Sequence, residues 1–105
     1  MAVAQYVLTL TGSAQALSAA TNATTATVRT VSLQPGVANA NPIYIGDANV
    51  SSSAYGIRLP APVASEPPAP VILGETQSQH GHFKLADVYV IGTNTEKVHL
   101  LVVTI

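Results

Sequence analysis

The residues able to do chemistry are few and scattered. His80-Gly81-His82 is the histidine cluster of the chain. Two imidazoles two residues apart share a face of an extended segment and could reach one metal ion. A zinc site normally takes three or four protein ligands. The third histidine, His99, is far along the chain and no acid stands at close spacing, so the expectation is a polar loop with two exposed histidines. Asp47-Ala48-Asn49 opens like a calcium loop but lacks the later ligands and the closing Glu. A turn is expected there, with Asp and Asn bonding to nearby backbone. Ser51, Ser52 and Ser53 supply hydroxyls, yet none sits in a G-x-S-x-G elbow. The Gly patterns that cradle phosphates are absent. Five acids scattered over the chain give no paired carboxylates for acid–base work. The reading is of a protein that is not an enzyme and uses no cofactor.

Composition narrows the classes further. The 105 residues are 48% hydrophobic but only 9% charged, with a net charge of −1. A nucleic-acid binder needs a basic face, and a polybasic membrane-surface protein needs a run of cations; neither is possible with four Lys+Arg. So weakly charged a surface is poorly protected against self-association, which suits a subunit inside an assembly. Cysteine is absent, which removes disulfides, thiolate metal sites and thiol nucleophiles. The start, Met1-Ala2-Val3-Ala4-Gln5-Tyr6, lacks the basic and apolar regions of a signal peptide, so no secretory address is expected. No apolar run approaches the roughly 18 residues that span a bilayer. One domain is expected at this length.

The elements that must position any site read as all-β. Val, Ile and Thr abound, helix-favouring charged residues are scarce, and Gly or Pro recurs at short intervals. Val3 to Thr11 is a strand with Tyr6, Leu8 and Leu10 on one face. Ser13 to Asn22, Ala-rich, forms a helical turn or an irregular crossing. Thr25 to Leu33 is a strand with Val28, Thr30 and Ser32 alternating with Arg29, Val31 and Leu33. Pro35-Gly36 turns the chain. Pro42 to Ile45 and Ile57 to Leu59 are short strands around a polar loop, Asp47 to Gly56. Val71 to Leu73 and Val88 to Ile91 follow. Lys97 to Ile105 closes the chain, and Gly92-Thr93-Asn94-Thr95 makes a β-hairpin of the last two strands. About seven or eight short strands with frequent turns predict a single-domain antiparallel β-sandwich or jelly-roll-like barrel.

Three features point to contacts. The final strand is apolar on both faces, with Val98, Leu100 and Val102 on one and His99, Leu101 and Val103 on the other. That implies a central strand or a subunit contact. Pro60 to Pro70 holds five of the seven prolines. Proline cannot donate to a ladder, so this segment is an extended surface loop or arm that loses little entropy on docking. Tyr44 and Tyr89 lie inside apolar strands and are expected to pack in the core or on the sheet. Tyr55, beside Gly56 in a polar loop, is the better interface anchor. No stripe of stacking tyrosines is expected.

The order of motifs resembles that of small virion structural proteins of tailed bacteriophages. The matching pieces are Thr11 to Ala19 (TGSAQALSA), Val28 to Gln34 (VRTVSLQ), Pro42 to Leu59 (PIYIGDANVSSSAYGIRL) and Leu85 to Val103 (LADVYVIGTNTEKVHLLVV). Members show an I-G-D-x-N-V-S segment, a later Leu-Pro, a D-x-Y-V-x-G-T strand and a valine-rich C-terminus. This chain departs between Pro60 and His82, where it carries a proline-rich insertion. The resemblance implies a virion component, in the first place a capsid decoration, or cement, protein. The alternatives are another virion part (a head-fibre base, a head–tail connector or a tail accessory protein) and, after these, a non-viral β-sandwich binding module. A decoration protein is made in the host cytoplasm and sits on the capsid surface of the virion, as a homo-oligomer with a trimer favoured. Its partner is the major capsid protein, and it touches neither nucleic acid nor membrane. The contact candidates are Tyr55, the arm with Pro60, Pro62, Pro67, Pro68 and Pro70, and the loop residues His80 and His82.

Overall fold

Short strands bounded by Gly, Pro and Asn leave each strand too small to bury its apolar face alone, so the strands must stack as layers. The computed structural model describes residues 3–20, 27–62, 70–74 and 83–104. Their strands are β1 (Val3–Thr9), β2 (Gln15–Ala16), β3 (Thr27–Pro35), β4 (Ile43–Gly46), β5 (Ile57–Leu59), β6 (Val71–Gly74), β7 (Phe83–Lys84), β8 (Tyr89–Ile91) and β9 (Lys97–Thr104). Single 3-10 turns span Leu17–Ala20 and Leu85–Asp87. No helix among the described residues is long and apolar enough to cross a membrane.

Two sheets form. The first has the order β1-β9-β3-β6, with β7 also pairing β3, and the second has the order β2-β8-β4-β5. Every pairing is antiparallel. The partners are nested: β1 with β9, β2 with β8, β3 with β6, and β4 with β5. The chain is therefore one long hairpin, its tip between β4 and β5, folded over so that β1 to β4 alternate between the sheets on one arm and β5, β6, β8 and β9 on the other, with β7 added to the first sheet. That is the jelly-roll order.

Nesting overturns the expected hairpin of the last two strands. β8 pairs β2 and β4, whereas β9 pairs β1 and β3 in the other sheet. Gly92 to Glu96 is a crossing between layers. Leu10 holds it: the Leu10 N–H donates to the Glu96 carbonyl (2.8 Å), and the Thr95 N–H to the Leu10 carbonyl (2.8 Å). The Ala-rich segment resolves into the two residues of β2 and the turn Leu17–Ala20.

The inner faces meet in one apolar core. Leu8, Leu33, Leu100 and Val102 of the first sheet pack with Ile43, Ile45, Leu59 and Val90 of the second. Each such side chain contributes about 1.5–3 kcal/mol on burial. In β3 the alternation slips. Val28 and Val31 are both fully buried, although strict period two would put them on opposite faces. The register moves from Val28↔Thr104 to Thr30↔Val103, so Arg29 is an extra residue and the strand bulges there. Opposite Thr30 stands Gly74 with φ +109°, where a Cβ would run into the Arg29 carbonyl. Only glycine fits that turn of backbone.

The far end of β3 is clamped to β9. Pro35 faces Val98, and the Gly36 N–H donates to the Lys97 carbonyl (2.9 Å). Asn39, buried, mimics a strand residue. Its Nδ2 donates to the Lys97 carbonyl (2.8 Å) and its Oδ1 accepts from the Lys97 N–H (3.0 Å). Glu96 Oε2 accepts from the Ala40 N–H (2.6 Å) and so tethers the same loop.

Candidate functional site

The outer face of the first sheet is built from the alternate residues of its strands. Across the sheet the register gives rows of Val3–Val103–Thr30, Gln5–Leu101–Ser32–Ile72 and Val7–His99–Gln34. Val3 is 65% exposed, Ile72 63%, Val7 50% and Leu101 46%. A shallow open depression of about 340 Å³ lies over β9, walled by Gln5, Val7, Ser32, Gln34, His99 and Leu101. Formal charges in these strands stand at the rim: Lys97 pairs with Thr9 at one end and Lys84 with Thr27 at a far corner. Arg29 occupies the bulge. The Lys97 ammonium donates to Thr9 Oγ1 (3.2 Å). This face sets exposed Val3, Val7, Ile72 and Leu101 among uncharged polar side chains, with cations at its edge.

The outer face of the second sheet carries Tyr44, Arg58, Tyr89 and Ile91. Here the loop between β4 and β5 folds back over the sheet. The Gly56 N–H returns to the Ile45 carbonyl (2.8 Å). The Asp47 carboxylate accepts from the Asn49 N–H (2.9 Å), the turn expected at that pair. Ser51 Oγ accepts from the Ala54 N–H (3.0 Å) and closes a second turn. Between them Val50 is only 4% exposed. It lies over Gly46, where a Cβ would come 3.1 Å from Val50 Cγ2. Tyr55 then stands against Tyr44, ring centroids 4.9 Å apart and tilted by 47°.

Tyr55 is half-exposed, as an interface anchor requires, but it is not isolated. The contact is a tilted pair of two rings and not a stripe of stacking tyrosines. Tyr44 alternates with the core residues Ile43 and Ile45, so it faces outward rather than into the core. Of the arm, Pro60 and Pro62 follow β5 in the second sheet and Pro70 precedes β6 in the first, so the segment joins the two layers. Pro60 and Pro70 are exposed, and Pro62 is half-buried. Pro67, Pro68, His80 and His82 lie outside the described residues.

The structure also assembles what the spacing hid. Ile72 joins Leu101 in one row only because β6 and β9 flank β3. Among the described residues no three His, Cys, Asp or Glu side chains come together as metal ligands do. The hydroxyl of Ser51 is engaged with Ser53 and backbone N–H groups of its own loop.

The fold and its surfaces thus define a small jelly roll with one bare face that exposes apolar side chains among polar ones and one face dressed by its own loop. Comparison with protein-family models, curated proteins and solved structures finds no match to the chain.

Proposed function

We propose that the chain is a virion structural protein of a tailed bacteriophage, a capsid decoration protein that binds the outer shell and bridges neighbouring major capsid subunits. The observation that carries this reading is the bare face centred on Leu101. Covering it with another chain removes apolar surface from water at about 25 cal/mol per Å². Its cationic rim fits a partner patch with an apolar centre and acidic edges. The motif resemblance and a jelly-roll fold, found among capsid domains, support the same reading. No catalytic step and no cofactor belong to it.

The mechanism is linkage. A protein that binds only the assembled shell stabilises it by mass action. A subunit that touches two neighbours makes its second contact intramolecular, so weak individual contacts sum to firm attachment.

The contact of Tyr44 with the half-exposed Tyr55 favours a second reading, a sugar-binding module that stacks a ring on Tyr55. The test is the copy number of the chain in purified phage particles, by quantitative mass spectrometry against the major capsid protein. Hundreds of copies in simple ratio to the shell are expected. A dozen or fewer would move the chain to a connector, fibre or tail. Absence from particles would defeat the virion reading and turn attention to the tyrosine pair.

A further inference from the structure

We propose that two copies of this chain pair through the free edge of β1, antiparallel and centred on Gln5, to make one sheet continuous across a dimer. The argument starts from hydrogen-bond direction. In an antiparallel ladder, alternate residues bond to one neighbour and the residues between them point to the other side. The Leu10 N–H bonds to the Glu96 carbonyl on the β9 side. The even residues of β1 therefore face β9: Leu8 with Val98, Tyr6 with Leu100 and Ala4 with Val102. The odd residues Val3, Gln5, Val7 and Thr9 present their N–H and C=O groups to the opposite edge.

The C-terminal part of that edge is already occupied. Gln15 lays its side-chain amide along it: Nε2 donates to the Thr9 carbonyl (3.3 Å) and Oε1 accepts from the Thr11 N–H (3.1 Å). One glutamine thus stands in for a strand residue and blocks further pairing there. The backbone groups of Val3, Gln5 and Val7 have no strand partner among the described residues. The stretch also lacks the devices that keep edges apart: Val3–Thr9 contains no charge, no proline and no bulge.

Three free residues spaced by two select their own partner. A second copy running antiparallel about a twofold axis at Gln5 sets Gln5 against Gln5 and Val3 against the partner's Val7. All three pairs are of the hydrogen-bonded kind, with six N–H···O=C bonds. Val3 and Val7, both at least half exposed, then cover each other on the outer face. Ala4 meets the partner's Tyr6 on the inner side. The uncharged strand sets no like charges opposite each other. An extended β1 is about 23 Å long at 3.3 Å per residue. Side-chain contact on both faces of such a ribbon sits near the lower bound of a specific interface, about 1,000 Å² in total, so the pairing is weak and concentration-dependent. The twofold axis is normal to the sheet, so both bare faces point the same way. Such pairing does not depend on the chain being a virion protein, and it gives a dimer where the family resemblance implies a trimer.

The absence of cysteine makes the test clean. Facing residues of a hydrogen-bonded pair lie about 5.5 Å apart at Cα, within disulfide reach. Gln5→Cys is expected to cross-link to itself under mild oxidation. Val3→Cys and Val7→Cys are expected to cross-link when mixed but not alone. Sedimentation of the wild-type chain should show a monomer–dimer equilibrium. Gln5→Pro, whose lost N–H serves no β9 bond, should raise its Kd at least about tenfold. Circular dichroism checks that this variant folds, and the cysteine variants decide if it does not. A wild-type chain that stays monomeric up to about 1 mM, or a trimer in which Leu101→Cys cross-links and Gln5→Cys does not, would overturn the proposal.

Discussion

The outer face of the β1-β9-β3-β6 sheet and that of the β2-β8-β4-β5 sheet start from the same rule: alternate residues of each strand point away from the core. On the second sheet the chain supplies its own cover. The loop after β4 returns, sets Val50 on Gly46 and Tyr55 on Tyr44, and satisfies its turns internally. On the first sheet Val3, Val7, Ile72 and Leu101 end in solvent among Gln, Ser, Thr and His, with Lys97 and Lys84 at the margins. The chain dresses one of its faces with its own loop and leaves apolar side chains of the other in solvent, a division between packed and open surfaces. The tyrosine face adds stability to the monomer, and the bare face adds none until something covers it.

The sharpest break of that comparison lies within β9, where two adjacent leucines face opposite ways. Leu100 is 2% exposed and Leu101 is 46% exposed. Leu100→Ala should cost about 3 kcal/mol of unfolding free energy by cavity formation. Leu101→Ala should change the isolated monomer by no more than about 0.5 kcal/mol. Urea denaturation of dilute samples measures both. Equal losses would mean that the outer face is already packed in the monomer, and the division of surfaces would fail.

A smaller contrast compares valines on the two sheets. Val50→Ala removes buried methyl groups beneath the loop and should cost about 1–2 kcal/mol. Val7→Ala on the bare face should stay within about 0.5 kcal/mol in the monomer. Tyr55→Ala comes next, at about 0.5–1.5 kcal/mol for loss of the ring contact, with a change in the near-ultraviolet tyrosine signal. If Tyr55→Ala were neutral while Val7→Ala destabilised the monomer, the roles of the two faces would be reversed.

The division was partly legible beforehand. Alternation placed Tyr6, Leu8 and Leu10 on one face, and they do face the core. The doubly apolar β9 pointed to a central strand or a contact, and β9 is central while its second face stays exposed. Other features depend on which strands become neighbours, and local pattern carries no such information. β8 and β9 looked like a hairpin because they are adjacent and apolar, but each finds its partners at the other end of the chain. The bulge at Arg29 shifts Val31 to the core side by inserting a residue, which period two cannot register. For Tyr44 the apolar strand left core and sheet packing both open, and it packs on the sheet face between the core residues Ile43 and Ile45. That flanking pattern is what aims it outward, to Tyr55. Asn39 carried no signal, since its value lies in matching the Lys97 backbone 58 residues away.

The smallest effect on stability should come with the largest loss of binding. Leu101→Lys puts an ammonium at the centre of the bare face. In the monomer the long side chain extends into water, and unfolding free energy should move by no more than about 0.5 kcal/mol. Against a docked partner the same ammonium must be desolvated without a matching acid, a penalty of several kcal/mol, so attachment to particles should fall by at least about 100-fold. Tyr55→Ala is the paired control. It weakens the monomer more than Leu101→Lys and, if the bare face alone meets the shell, leaves attachment unchanged. Co-sedimentation of each variant with particles stripped of the chain separates the cases. Loss of attachment in Tyr55→Ala but not in Leu101→Lys would transfer the contact to the loop-dressed face. Loss in both would mean that the chain grips two subunits with two faces, which is what bridging by a single copy requires.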